Sequence, residues 1–180
     1  MVYVGLLRGI NVGGKNKIDM KLLKQTFERT EMESVVTYIN SGNVIFTDTK
    51  HTKIEISSLI QKAIYEDFQL DIKVLVRSID DYENMMRNIP ESWKNDENMK
   101  CDVLFLWEEI DKGKLPAELK IKPQIETVIY TSGAIVWAID RRNSTKSSLK
   151  KVVGTTLYKY ITIRNINTTR KIYEIMRTLK

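Results

Sequence analysis

Two short polar links decide most of what this chain can become. Asn40-Ser41-Gly42-Asn43 separates the apolar runs 35–39 and 44–46, and Thr131-Ser132-Gly133 separates 126–130 from 134–139. The flanking runs are rich in β-branched and aromatic residues. A link this short leaves no room for a crossover, so each pair must form an antiparallel hairpin. The links also echo each other in residue type, with Tyr38-Ile39-Asn40-Ser41-Gly42 set against Tyr130-Thr131-Ser132-Gly133.

The elements around each hairpin repeat as well. Residues 2–8 read as a buried strand ending in a Gly-rich turn. Asp19 can cap a helix whose inner face carries Met20, Leu23 and Phe27. After the first hairpin, Thr52 and Glu55 form a capping box for a helix with Ile56, Ile60, Ala63, Ile64 and Phe68 on one stripe. Ile72, Val74 and Val76 alternate as a strand, and a helix from Ser78 carries Ile79, Tyr82, Met86 and Ile89 before Pro90 stops it. In the second half, a strand over 103–107 precedes a Pro-broken helical stretch reaching about Lys120. The second hairpin follows, then a basic helix from Asn143 or Ser144, a strand over 158–163 and a helix after Asn167.

This order, β-α-β-β-α-β followed by a helix and then repeated, predicts an α+β fold. The expected architecture is a tandem of two ferredoxin-like (alpha-beta plait) subdomains, each a four-stranded antiparallel sheet with helices on one face. The expected boundaries are 1–90 for the first, 91–100 for a polar link and 101–180 for the second, which carries the basic C-terminal helix.

Of the 180 residues, 42% are hydrophobic and 29% charged, a globular rather than a disordered composition. No apolar run approaches the roughly 18 residues of a membrane span, and the N-terminus has neither a basic leader nor a small-residue cleavage site. A cytoplasmic protein without a membrane partner is expected. A single Cys101 excludes an internal disulfide framework, and a single His51 excludes two-histidine chemistry and His-rich metal sites. No metal or cofactor is therefore expected. Cys101 reads as a buried small hydrophobe and His51 as a surface residue.

The net charge of +6 is concentrated at one end. Residues 141–180 hold eleven Lys/Arg and one acid, whereas residues 91–140 carry a net −4. Such a segment projects a positive field attractive to phosphates unless it lies against the acidic stretch. Its candidate polyanion-binding residues are Arg142, Lys146, Lys150, Lys151 and Arg170.

Gly9-Ile10-Asn11-Val12-Gly13-Gly14-Lys15 has the spacing of a phosphate loop. It lacks the hydroxyl residue after the lysine, where Asn16 stands, and it does not run straight into a helix. Its glycines serve loop geometry, or its amides hold an anion together with Lys15 and Lys17. Val2-Tyr3-Val4-Gly5-Leu6-Leu7 echoes the first-strand motif of RNA-recognition modules. The second motif is missing its basic-Gly pair, so Tyr3 reads as core packing.

Three segments together resemble the bacterial family known as domain of unknown function 1697. They are Leu6-Leu7-Arg8-Gly9-Ile10-Asn11-Val12-Gly13-Gly14-Lys15-Asn16, Tyr38-Ile39-Asn40-Ser41-Gly42-Asn43-Val44-Ile45-Phe46, and Thr162-Ile163-Arg164-Asn165-Ile166-Asn167-Thr168. The resemblance spans nearly the whole chain and implies a duplicated ferredoxin-like architecture with no established activity. Ile166 stands where the family usually has Trp, and the family's basic Arg-Ser-Lys-Leu stretch is matched only loosely by Arg142-Asn143-Ser144-Thr145-Lys146.

Two functions compete at this level. The first is a binding module for nucleic acid or another polyanion, using the basic C-terminal region. The alternative is an enzyme or sensor for a small anionic ligand bound between the two subdomains. Its residues would be Arg8, Asn11, Lys15, Ser41, Asn43, Arg164, Asn165, Asn167 and Thr168, which sit at strand ends. The sequence leaves the choice between monomer and homodimer open, although an exposed edge strand would suit self-association.

Overall fold

A computed structural model describes all 180 residues as an α+β protein with two four-stranded antiparallel sheets. The first sheet contains β1 (Val2–Leu7), β2 (Glu33–Tyr38), β3 (Asn43–Thr47) and β4 (Val74–Ser78), in the order β2-β3-β1-β4. The second contains β5 (Met99–Leu106), β6 (Glu126–Thr131), β7 (Ala134–Asp140) and β8 (Ile161–Asn165), in the matching order β6-β7-β5-β8. The helices are α1 (Met20–Arg29), α2 (Lys53–Phe68), α3 (Ile79–Met86), α4 (Leu149–Val152) and α5 (Ile166–Thr178). No helix is long and apolar enough to cross a membrane.

Two compact units emerge, Met1–Tyr82 with Ile172–Lys180, and Glu83–Lys171. Residues 83–90 therefore group with the second unit and 172–180 with the first, across the boundaries expected from sequence.

In the first unit the capping signals act as read. Asp19 Oδ1 accepts from the amides of Lys21 and Leu22 at 2.8 and 3.0 Å, which starts α1 and turns Leu23 and Phe27 inward. The Thr52–Glu55 capping box is complete, and α2 buries Ile56, Ile60, Ala63 and Ile64. Ser78 and Asp81 exchange a second reciprocal pair of bonds at the start of α3. Tyr3 stacks on Phe46 at 5.9 Å and Phe46 meets Phe27 edge-on at 5.5 Å, so Tyr3 packs against the core.

The second unit departs from the expected elements in two places. No helix forms between β5 and β6. Gly113 adopts a left-handed φ of 72° and Pro116 denies a helix its amide, so the segment runs as turns that send Ile110, Leu115, Leu119 and Ile121 into the core. The basic helix expected from Asn143 or Ser144 does not form as one element. A 3-10 turn (Arg141–Lys146), the four-residue α4 and a second 3-10 turn (Leu157–Tyr160) replace it, with Gly154 at φ 95° breaking the path. Tyr158 and Tyr160 thus belong to a turn, and β8 starts at Ile161. It runs directly into α5, which begins at Ile166, so Asn167 and Thr168 lie in the first turn of that helix rather than ahead of it.

Gly42 occupies the tightest point of the first hairpin. Its φ is 72°, and a Cβ there would come within 2.7 Å of Leu7 Cβ and 2.8 Å of Ile10 Cδ1. Gly42→Ala should therefore cost about 2–4 kcal/mol, combining left-handed strain with overpacking. Urea unfolding of the two proteins measures it, with Gly9→Ala, which meets no atom within 4 Å, as the control for strain alone.

Candidate functional site

The loop after β1 turns its polar groups upon itself. Asn11, at φ 53°, donates from Nδ2 to the carbonyls of Ile18 (3.0 Å) and Asn40 (2.9 Å), and its Oδ1 accepts from the Ile18 amide at 2.9 Å. Asn16 Nδ2 donates to the Gly9 carbonyl at 2.9 Å, and the Lys15 amide donates to Val12 at 3.1 Å. The loop is a closed miniature hairpin in which Val12 and Lys15 form an antiparallel bridge. Lys15 and Lys17 project into solvent from it. Arg8 is half-buried at its start, with its amide bonded to the Lys73 carbonyl.

Asn11 brings this loop against the β2–β3 turn, so the first two sequence motifs do meet. There Asn43 is wholly buried and donates to the Tyr38 carbonyl and to Ser41 Oγ, both at 3.0 Å. The amides of Asn11 and Asn43 and the hydroxyl of Ser41 are thus engaged in shaping the turn.

The third motif is equally internal. Arg164 is buried and donates from Nη1 to Thr162 Oγ1 and the Ile163 carbonyl, both at 2.9 Å. Asn165 Oδ1 caps α5 by accepting from the Thr168 amide at 2.9 Å. Asn167 pairs with the backbone of Asn95 through both ends of its amide. Arg170 gathers the carbonyls of Trp93, Pro90 and Glu91 at 2.6, 3.0 and 3.3 Å. Arg142 pairs with Asp140 at 2.8 Å, and this guanidinium holds the Asp140 carboxyl down to about 2. Arg141, which sequence reasoning did not single out, bonds to Asn95 and to the carbonyls of Asp96 and Met99.

Lys146, Lys150 and Lys151 differ. All three are exposed, and none lies within ion-pairing reach of a carboxylate. They sit on one short stretch, and Lys122 joins them by donating from Nζ to the Lys146 carbonyl at 2.5 Å.

The residue that positions this stretch was invisible in the sequence. Glu126, buried at the start of β6, accepts from the Ser148 amide at 2.5 Å, from Ser148 Oγ, and from the Lys122 amide at 3.1 Å. Burial pushes its carboxyl up, but these donors outweigh burial and leave it below the usual glutamate range. Nothing marks an acid in a strand-forming run as an anchor for a segment twenty-two residues away.

Other titratable groups are structural. Asp48 is buried and accepts from the amides of Lys50 and His51 and from His51 Nδ1 at 3.0 Å, so His51 is a half-buried partner in a turn. Burial pushes the Cys101 thiol up to about 12, as befits an inert core residue. Asp111 closes the 107–125 loop onto the second hairpin by accepting from Tyr130 Oη at 2.5 Å and the Gly133 amide at 2.9 Å. Burial and that carboxylate raise Tyr130 to about 12.

Against known proteins, residues 1–155 match the family model described as a protein of unknown function, DUF1697. The third sequence motif lies beyond the matched span. The solved structure of the conserved bacterial protein SP0830 from Streptococcus pneumoniae is similar at 30% identity and a TM-score of 0.83, covering 97% of this chain and 98% of that one. No curated protein matches the chain.

The lowered Glu126 value sets a pH signature. A carboxyl whose folded value lies below its unfolded one stabilises fully above the unfolded value, about 4.3, and loses that contribution as pH falls through the folded value. Glu126→Gln should cost about 1–3 kcal/mol at pH 7, and the gap to the parent protein should narrow below pH 4. Urea unfolding at the two pH values reads both.

Proposed function

We propose that this chain, which belongs to the DUF1697 family of proteins of unknown function, binds nucleic acid or another polyanion through the lysine stretch of its second unit. The observation that carries this reading is the exposure of Lys146, Lys150 and Lys151 without acidic partners. Ammonium groups held in water close together, with a fourth from Lys122 beside them, release counterions when phosphates take their place. The α4 region is too short to present them as a helix face. They stand instead on irregular chain tied down by Glu126, a footing suited to a flexible single strand.

The interface in this proposal is narrower than the basic region as a whole. Arg164 and Arg170 belong to the scaffold, and Arg142 is paired with Asp140. The aromatic pair Tyr3–Phe46 belongs to the core of the first unit, so the reading rests on the lysines and not on base stacking at that sheet.

We further read each sheet with its flanking elements as a ferredoxin-like unit, and the pair as a duplication, in a cytoplasmic protein. What supports the duplicated architecture is the shared strand order, β2-β3-β1-β4 and β6-β7-β5-β8.

Fluorescence anisotropy with labelled single-stranded RNA and DNA tests the proposal. Binding should weaken steeply between low and physiological salt. Replacing Lys146, Lys150 and Lys151 together by Gln should reduce the slope of log K against log salt by about 2, from the single-strand value of roughly 0.7 per contact. Binding of unchanged affinity and slope in the triple variant would overturn it.

A further inference from the structure

The second sheet has one edge left open, and its residues are complementary to themselves. Gly133 accepts from the Leu106 amide at 2.9 Å, so on β7 the carbonyl direction alternates from that point. Ala134, Val136 and Ala138 therefore turn their backbone groups toward β6, opposite Thr131, Ile129 and Thr127. The N–H and C=O groups of Val128 and Tyr130 consequently point away from the sheet.

Other edges are guarded. On β4, the Val74 amide donates to Gln61 Oε1 at 3.2 Å, the Val74 carbonyl accepts from Ser57 Oγ at 2.7 Å, and the Ser78 amide donates to Asp81 at 2.9 Å. On β2, a register shift between Glu33 and Val36, with Ser34 at φ 51°, bends the strand. On β8, the Asn165 carbonyl accepts from Thr169. β6 has none of these devices. Its register on β7 is unbroken, residues 127–131 include no charge and no proline, and all but Thr131 are at least partly exposed.

We propose that the chain self-associates through this edge, β6 pairing antiparallel with β6 of a second copy about a two-fold axis at Ile129. In that register Val128 lies opposite Tyr130 of the second copy, and Tyr130 opposite its Val128. The outward N–H and C=O groups of the two residues then form four interchain bonds. Thr127 faces Thr131, the β-branched Val128 faces the aromatic Tyr130, and Ile129 faces itself, all favourable cross-strand pairs. A two-fold contact needs one strand complementary to its own reverse, which Thr-Val-Ile-Tyr-Thr is. An unrelated partner would need no such symmetry. The sheet would become a continuous one of eight strands.

Light scattering on the full-length chain across a dilution series tests this. The mass should be that of two chains at high concentration and fall toward one on dilution. Ile129→Lys and Ile129→Glu keep the β6–β7 bonds but place like charges face to face at the axis. Each variant alone should keep the parent circular dichroism and run at single-chain mass, and mixing the two should restore the two-chain mass. A parent protein at single-chain mass at every soluble concentration would overturn the proposal. So would a dimer indifferent to Ile129→Lys, or a mixture that stays at single-chain mass.

Discussion

In each sheet one hydrogen bond sets the register of three strands. The carbonyl of the hairpin glycine accepts from the amide at the end of the central strand, Gly42 from Leu7 at 2.8 Å and Gly133 from Leu106 at 2.9 Å. The hairpin fixes its own two strands, and this bond fixes the pair against the third. Side chains alternate along a strand, so a slip of one residue would exchange the two faces of the sheet. Val44 and Phe46 would then leave the core they share with Phe27, and Trp137 would leave the cluster it forms with Leu104 and Leu157. The left-handed φ of both glycines, 72° and 80°, brings the carbonyl to that position.

The chain leaves each central strand beside this bond, and one side chain ties the departing loop back to the hairpin. Asn11 does so in the first unit, through the carbonyl of Asn40. Asp111 does so in the second, through the Gly133 amide and Tyr130 Oη. The chemistry differs because the backbone groups offered differ: a carbonyl requires a donor and an amide requires an acceptor. Buried or half-buried polar groups need such partners, which is why polar residues clustered at strand ends are engaged in holding turns.

That accounts for what could be read in the sequence. Elements announced by local chemistry were legible: Asp19, the Thr52–Glu55 box and the two hairpin links acted where they stand. The antiparallel pairing followed from link length. The 107–125 and 141–160 segments were not legible, since their paths depend on bonds between residues far apart in the chain. Glu126 holds Ser148 and Asp111 holds Gly133, and neither acid differs by composition from its solvated neighbours. The candidate lysines, Lys146, Lys150 and Lys151, were legible in the charge asymmetry, but the engagement of Arg142 and Arg170 beside them was not. Arg164, Asn165 and Asn167 carry donors of the kind a ligand would use, and each also bonds within the scaffold.

The basic region divides by side-chain chemistry in a way that net charge conceals. All five of its arginines are engaged: Arg141 and Arg170 on carbonyls, Arg142 on Asp140, Arg164 beside Thr162, and Arg177 over the Tyr173 ring at 5.9 Å. A guanidinium is planar, weakly hydrated and presents several donors in a fixed fork, so it can bind two or three carbonyls at once with little loss of freedom. An ammonium is a compact, strongly hydrated point charge without that planar fork. At Lys146, Lys150 and Lys151 it stays in water. A guanidinium bonded to neutral carbonyls keeps its charge, so the field of the region persists, while the exposed ammonium groups are those of Lys146, Lys150 and Lys151. Net charge therefore measures attraction at a distance, and it does not distinguish an engaged guanidinium from a hydrated ammonium.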